Sequence, residues 1–453
     1  MNPPSLDGWQ FNDNSRSSWD IVWTCLTTIF ACTWTVLHLP VAARNVPEGR
    51  ITAAKLWIWT IAFLAPELLA LEAAEEFWRV WSLKTRCNQA QAAVDASTGE
   101  PESWLYHRTK SLLQAQGVDD LDLYPVHARW TFSQCFCVEM GGLTFETSDG
   151  WIFYVRRDQL IQFIEAGLIK CTDFTDREIK DRAKSDAFAK AFTVCQSTWV
   201  TANIIARAAY DLPITPFEFS TISYVVCAIM VYACWWSKPQ DMAVPITIPL
   251  RYTRSDLPED ICIITDCRPK RWKHRQVIPP KDGVFAGLRT LGRRYQTMVV
   301  DETVQGTMTR GYRELSLRDE TWLNTVAALS GLIFCGVHVA AWNFAFPTHA
   351  ERIAWRVLSL TALAMVFVVY AIGQVPLIIR WLLEHRASLP QCLQRFADPN
   401  GKYTLVEIFL PFPLMLIYAI ARLGLVALTL SSLRALPSGA YIAVDWLGSI
   451  PHI

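Results

Sequence analysis

The chain has 453 residues, 52% of them hydrophobic, with a mean hydropathy of +0.19 and equal numbers of acidic and basic side chains. That composition describes a polytopic membrane protein with sizeable polar loops and not a string of soluble domains. Zero net charge removes any case for nucleic-acid binding from overall charge.

Seven segments approach the roughly 20 apolar residues that a membrane crossing needs, near 20–39, 56–76, 190–209, 217–236, 322–345, 354–379 and 404–432. The expected fold is therefore all-α and polytopic, with about seven transmembrane helices and a small cytosolic β-hairpin and helix subdomain. Divisions follow at 1–79 (tail and two spans), 80–188 (loop subdomain), 189–237 (third and fourth spans), 238–320 (basic Pro-rich loop) and 321–453 (three spans and tail). Many of the 20 Trp sit near span ends, where an indole suits the headgroup boundary. The 13 Cys are scattered, several inside apolar segments, and show no paired spacing for a disulfide framework or a metal site. No metal and no cofactor is expected.

In chain order, Asp20 stands where an N-cap of the first span should. The second segment contains Leu64-Ala65-Pro66-Glu67-Leu68-Leu69-Ala70-Leu71-Glu72, two acids at a depth where a charged side chain costs on the order of 2.5–3.5 kcal/mol. Glu67 and Glu72 are thus functional candidates, against the plainer alternatives that Glu67 satisfies backbone freed by Pro66 and that Glu72, with Glu75 and Glu76, already faces the headgroups. Residues 88–103 read as a mobile linker. The alternation of Arg129 to Phe136, the glycines 141 and 142 and the turn Ser148-Asp149-Gly150 before Trp151 to Val155 predict a β-hairpin. Leu160, Phe163, Ile164 and Leu168 then follow helical spacing, and Thr175 with Glu178 forms a capping box opening a helix into the third span.

The loop 238–320 carries the run Arg268-Pro269-Lys270-Arg271-Trp272-Lys273-His274-Arg275. It suits anionic lipid heads, or is simply a solvated positive-inside loop. On the fifth span His338, Trp342 and Asn343 recur at helical spacing, with Glu351 and Arg356 beyond its end, as a possible polar pocket and an interfacial ion pair; a lone intramembrane His also serves as packing glue. Counting Lys and Arg over seven spans puts the N-terminus and both large loops in the cytosol and the C-terminal tail in the lumen, with the first span kept as a signal anchor. The membrane is then the endoplasmic reticulum or another endomembrane.

Several blocks across nearly the whole chain resemble a large family of fungal integral membrane proteins. They include Trp19-Asp20-Ile21-Val22-Trp23-Thr24-Cys25, Leu64-Ala65-Pro66-Glu67, Met140-Gly141-Gly142, Trp235-Trp236-Ser237-Lys238-Pro239, Ala341-Trp342-Asn343-Phe344 and Val444-Asp445-Trp446. Part of that family is similar to membrane-bound terpene cyclases of meroterpenoid pathways, of the ascofuranone and macrophorin type. The resemblance implies an isomerase that closes a prenyl or epoxy-prenyl chain by acid-initiated carbocation cyclisation, with a lipophilic prenylated small molecule as its partner. The last span departs from the family's pattern, which has an acid soon after the pair that is Arg422-Leu423 here; this chain has Val426-Ala427-Leu428.

Such a cyclase needs a protonated carboxyl, exclusion of water and π faces for passing cations. Glu67 is the leading acid, Glu72 and Glu351 follow, and Trp34, Trp57, Trp59 and Phe63, with His338, Trp342 and Asn343, are the expected substrate-binding residues. Asp119-Asp120-Leu121-Asp122 lacks the DDxxD spacing that holds magnesium on a diphosphate, and Gly287 to Gly292 is followed by Arg293-Arg294 and not by the Lys-Ser/Thr of a phosphate loop. The alternatives are a transporter or channel whose polar path uses these acids with Arg207 or Arg422, and a scaffold without chemistry. A seven-span receptor fits less well with a cytosolic N-terminus.

Overall fold

A computed structural model of the chain describes residues 6–11, 16–41, 47–97, 129–155, 157–183, 187–250, 253, 317–385, 390–391 and 411–444. The basic run 268–275, the 119–122 acidic cluster and Asp445 lie outside the described residues.

Strand β1 (Leu6–Asp7) leads to helix α1 (Ser18–Trp34). Its N-cap is Ser17, and Asp20 completes the capping box from the third helical position instead of capping it directly. Helices α2 (Glu48–Leu64) and α3 (Pro66–Ser97) are separated by Ala65 alone and bend by 111°. Pro66 causes the break: its ring disfavours helical geometry at the preceding residue, and Ala65 leaves it with φ −147 and ψ 70. The stretch 56–76 is therefore not one straight span. Residues 88–97, expected as a linker, are the last turns of α3, which also runs unbroken past position 80.

Next come α4 (Phe132–Glu139), β2 (Leu143–Glu146), β3 (Ile152–Tyr154), α5 (Arg157–Glu165), α6 (Asp176–Arg182), α7 (Ala187–Ala209), α8 (Pro216–Trp235) and β4 (Ile246–Pro249). The chain closes with α9 (Leu317–Ala340), α10 (His349–Glu384), α11 (Pro411–Ser432) and β5 (Leu436–Pro437). Four helices among the described residues are long and apolar enough to cross a membrane, over Pro216–Trp235, Thr321–Asn343, His349–Ile379 and Pro413–Ser432, and the bent pair is a fifth candidate.

The anticipated hairpin is present, with Phe145 opposite Phe153, but its first strand is β2. Residues 132–139 are helical instead. Thr131 and Gln134 form a reciprocal capping box there, and Cys135, Phe136 and Val138 bury themselves against the neighbouring helices. The third strand comes from the second large loop: β4 runs parallel to β2, with Leu143 opposite Ile246. The described parts of both loops thus fold as one subdomain around Trp130, Phe136, Phe145, Phe163 and Phe174, all fully buried. Gly142 is required where the loops meet, because a Cβ there would lie 2.8 Å from the Cys137 sulfur. The Thr175–Glu178 capping box forms as expected, yet α6 stops at Arg182; Ala183 turns extended and bridges Met242, and α7 starts afresh.

The bundle has two distinct ends. At one, β1 and β5 pair antiparallel, and Tyr441 donates to the Gly8 carbonyl at 2.9 Å. Arg207, in the last turn of α7, is fully buried and donates to the carbonyls of Pro213, Gly439, Ala440 and Ile442 at 2.8–3.2 Å. Arg16 pairs with Glu218 beside it. The described segments nearest the two termini therefore meet at one end, an arrangement that differs from the expected placement of the tails on opposite sides. At the other end sits the subdomain. Val41 donates to Met140 O at 3.0 Å, Lys55 pairs with Asp241 at 3.0 Å, Arg79 with Glu139 at 2.9 Å, and the Trp130 amide donates to Asn88 Oδ1 at 2.8 Å. Both α2 and α3 thus meet the subdomain with their outer parts, while their junction points into the bundle.

Candidate functional site

The junction of α2 and α3 leaves backbone carbonyls unclaimed by helix, and two side chains from distant spans claim them. Tyr224 of α8 donates to Phe63 O at 2.8 Å, and Arg422 of α11 donates through Nε to Leu64 O at 2.9 Å. Glu67 lies in the first turn of α3, where the helix dipole favours an acid. Its Oε1 is hydrogen-bonded by the Tyr418 hydroxyl, and Ser330 Oγ approaches its carbonyl at 3.4 Å. Glu67 is 6% exposed and Arg422 1%. No ion pair between the two is present among the described residues, and each keeps one buried atom with no partner, Glu67 Oε2 and Arg422 Nη1. An acceptor and a donor without partners at one helix break leave room in the hydrogen-bond inventory for a polar group.

Aromatic rings extend from this point in both directions. Trp34 meets Trp59 at 6.1 Å between ring centroids, Trp59 meets Phe63 at 6.3 Å, Phe63 stacks on Tyr224 at 6.0 Å and Tyr224 meets Phe334 edge-on at 5.5 Å. Phe334 continues to His338 at 5.0 Å, and His338 stacks on Trp355 at 5.8 Å. The Arg422 guanidinium lies over Phe334 at 4.0 Å, so this series already accommodates a cation.

Of the expected site residues, Glu67, Trp34, Trp59, Phe63 and His338 belong to this connected series. Trp57 does not, being 41% exposed on the other side of α2. Glu72 lies one turn further along α3, half-exposed, with Arg79 at 3.8 Å, and so belongs to the ion pairs beneath the subdomain. Glu351 stands at the tail end, where it accepts from Thr348, the N-cap of α10, as the third-position partner in a capping box, and pairs with Arg434 at 2.5 Å. The expected Glu351–Arg356 pair is absent: Arg356 donates instead to Trp342 O at 3.1 Å, stacks on the Trp342 ring and approaches Asn343. His338 turns inward while Trp342 and Asn343 follow in a 3-10 turn, which separates the pocket those three residues were expected to form. Among the described residues no group of three His, Cys, Asp or Glu side chains could hold a metal.

Sequence reading missed Tyr418 and Ser330 as partners of Glu67, and Tyr224 as the partner of the neighbouring Phe63 carbonyl. Arg422 carried a signal, as a cation inside an apolar segment, but nothing local ties it to Leu64, 358 residues away.

No curated protein and no solved structure matches the chain. A family model described as a family of unknown function, DUF8562, matches residues 2–268 and 308–453, and the chain belongs to that family.

Proposed function

We propose that the protein is a membrane-bound cyclase acting on a lipophilic prenylated molecule, with Glu67 as the proton donor. The observation that carries this reading is the Glu67 carboxyl itself: buried at a helix break, held through one oxygen by Tyr418, free at the other, and set within a run of aromatic rings. Protonated at Oε2, it would deliver a proton to a terminal alkene or epoxide; the Tyr224, Phe334 and Phe63 rings would stabilise the migrating positive charge until a base removes a proton. The product has the mass of the substrate, and no cofactor enters the balance. Glu72 and Glu351, engaged elsewhere, are set aside as acids in this scheme.

The proposed membrane arrangement has six crossings, by α1, α7, α8, α9, α10 and α11, with α2–α3 entering from the subdomain end and returning to it. Outward apolar side chains on α1 and α7, among them Trp23, Phe30, Phe192 and Ile205, support their lipid contact despite their shorter or more polar composition. An even number of crossings agrees with paired tails. The Lys- and Arg-rich loops then keep the cytosolic side, and the N-terminus moves to the lumenal side of an endomembrane.

A second reading draws on the same break. Discontinuous helices meeting near the midplane are also how transporters build ion and substrate sites. Incubating membranes with farnesylated phenols and their terminal epoxides, and resolving products by mass and retention, separates the two. An isomer of unchanged mass that disappears in Glu67→Gln supports the cyclase. No conversion over a broad panel, with proton-coupled flux into vesicles, supports transport.

A further inference from the structure

A second buried polar centre lies at the subdomain end of the bundle, apart from Glu67. Lys238, just past α8, pairs with Glu76 of α3 at 2.5 Å, and both side chains are more than nine-tenths buried. The Lys238 ammonium also lies 4.0 Å over the Trp235 ring, which in turn meets the His38 ring at 5.5 Å. Gln240 donates to Thr35 O at 2.9 Å, three residues before His38.

Three atoms of this centre have no partner: His38 Nε2, Trp235 Nε1 and Gln240 Oε1. The residues are 3%, 3% and 6% exposed, so bulk water does not serve them. Their polarity can be assigned. An indole N–H only donates and an amide oxygen only accepts. His38 Nδ1 lies 2.8 Å from the Val36 carbonyl, which can only accept, so Nδ1 carries the proton and Nε2 of the neutral ring is an acceptor. One donor and two acceptors complement hydroxyl groups, which both donate and accept; a carboxylate or a quinone carbonyl would leave both acceptors unmet. Buried polar atoms without partners are costly, and three in one cluster imply an occupant.

The centre lies about two and a half turns along α3 from the candidate acid, on the opposite face of that helix, so the aromatic series is what links the two. Glu67 and Glu76 are nine positions apart on the one helix α3, about 14 Å at the helical rise. Trp34, adjacent to Thr35, begins the aromatic series that runs through Trp59 and Phe63 to the Glu67 junction. We infer that His38, Trp235 and Gln240 seat the hydroxyl-bearing head of the lipophilic ligand whose far end reaches Glu67, an inference that rests on the lipophilic-substrate reading above.

Binding of two probes to the purified full-length protein in detergent tests this: a farnesylated hydroquinone, and farnesylbenzene, which lacks the hydroxyls. The hydroquinone is expected to bind about tenfold more tightly, the worth of one or two hydrogen bonds. Trp235→Phe, which keeps the ring, and His38→Phe should each erase that preference while leaving farnesylbenzene affinity unchanged; Gln240→Met serves if either fails to fold, and Glu67→Gln should retain the preference. Equal affinities, no binding of either probe, or a preference that survives the variants would overturn the inference and leave an internal water as the occupant. Head-group discrimination without any isomeric product keeps this inference and removes the cyclase reading; product without discrimination does the reverse.

Discussion

Glu67 and Glu76 share one helix and are equally buried, yet they keep different company. Glu76 is closed off by a direct ion pair with Lys238. Glu67 faces a tyrosine, a guanidinium that does not touch it and an oxygen left over. A buried carboxylate with a contacting cation is held in one protonation state and one geometry. A carboxyl whose second oxygen is uncommitted can exchange a proton with something that arrives. The contrast separates a structural acid from an available one, and exposure alone would not have done so.

On the cyclase reading, the largest expected effect is on chemistry. Glu67→Gln should lower turnover about 10²- to 10⁴-fold, the usual worth of a general acid, while unfolding in detergent moves by no more than about 1 kcal/mol because the amide still pairs with Tyr418. Equal losses in turnover and stability would place Glu67 with the structural acids. At Glu76 the pattern should invert. Lys238→Met strands a buried carboxylate and should cost about 3–5 kcal/mol, and adding Glu76→Leu should recover most of that; a double variant as unstable as the single one breaks the comparison.

A smaller loss is expected for Arg422→Gln, which removes the guanidinium from over Phe334 and weakens the hold on Leu64 O, at about 1–3 kcal/mol for a buried carbonyl left wanting. Thr175→Ala, in a capping box remote from both acids, should cost about 1 kcal/mol and leave turnover unchanged, which calibrates the others. The subdomain also has a pH signature. Burial pushes the Cys137 thiol from 9.0 up to about 12, so its contribution to stability is complete below pH 9 and is lost as pH rises toward 12. Alkylation of Cys137 should therefore stay slow at pH 8 in the folded protein and become fast only on unfolding.

Much of this was legible locally. An acid beside a proline inside an apolar run announces itself, because both the charge and the missing helix hydrogen bond must be compensated in lipid. Capping boxes such as Thr175–Glu178 involve four consecutive residues and are readable for that reason. Residues 129–136 misled because their alternation suits a strand, while the Thr131–Gln134 box decides for a helix. Strand β4 was missed because Ile246–Pro249 is short and pairs with β2 across about a hundred residues.

Composition and hydropathy by themselves determined that this chain is mostly helical with segments apolar enough to cross a membrane, where polar loops interrupt it and that Glu67 sits in an apolar run where an acid is expensive, since these follow from the solvation of each segment taken alone. Only the tertiary structure decided that the α2–α3 junction points into the bundle, that both tails meet through β1 and β5, that two loops make one sheet, and that Tyr418 and Arg422 converge on Glu67. Those outcomes depend on pairings between residues hundreds of positions apart, where hydrogen bonds unmet in one segment are met by another, and no local pattern encodes which segment that will be.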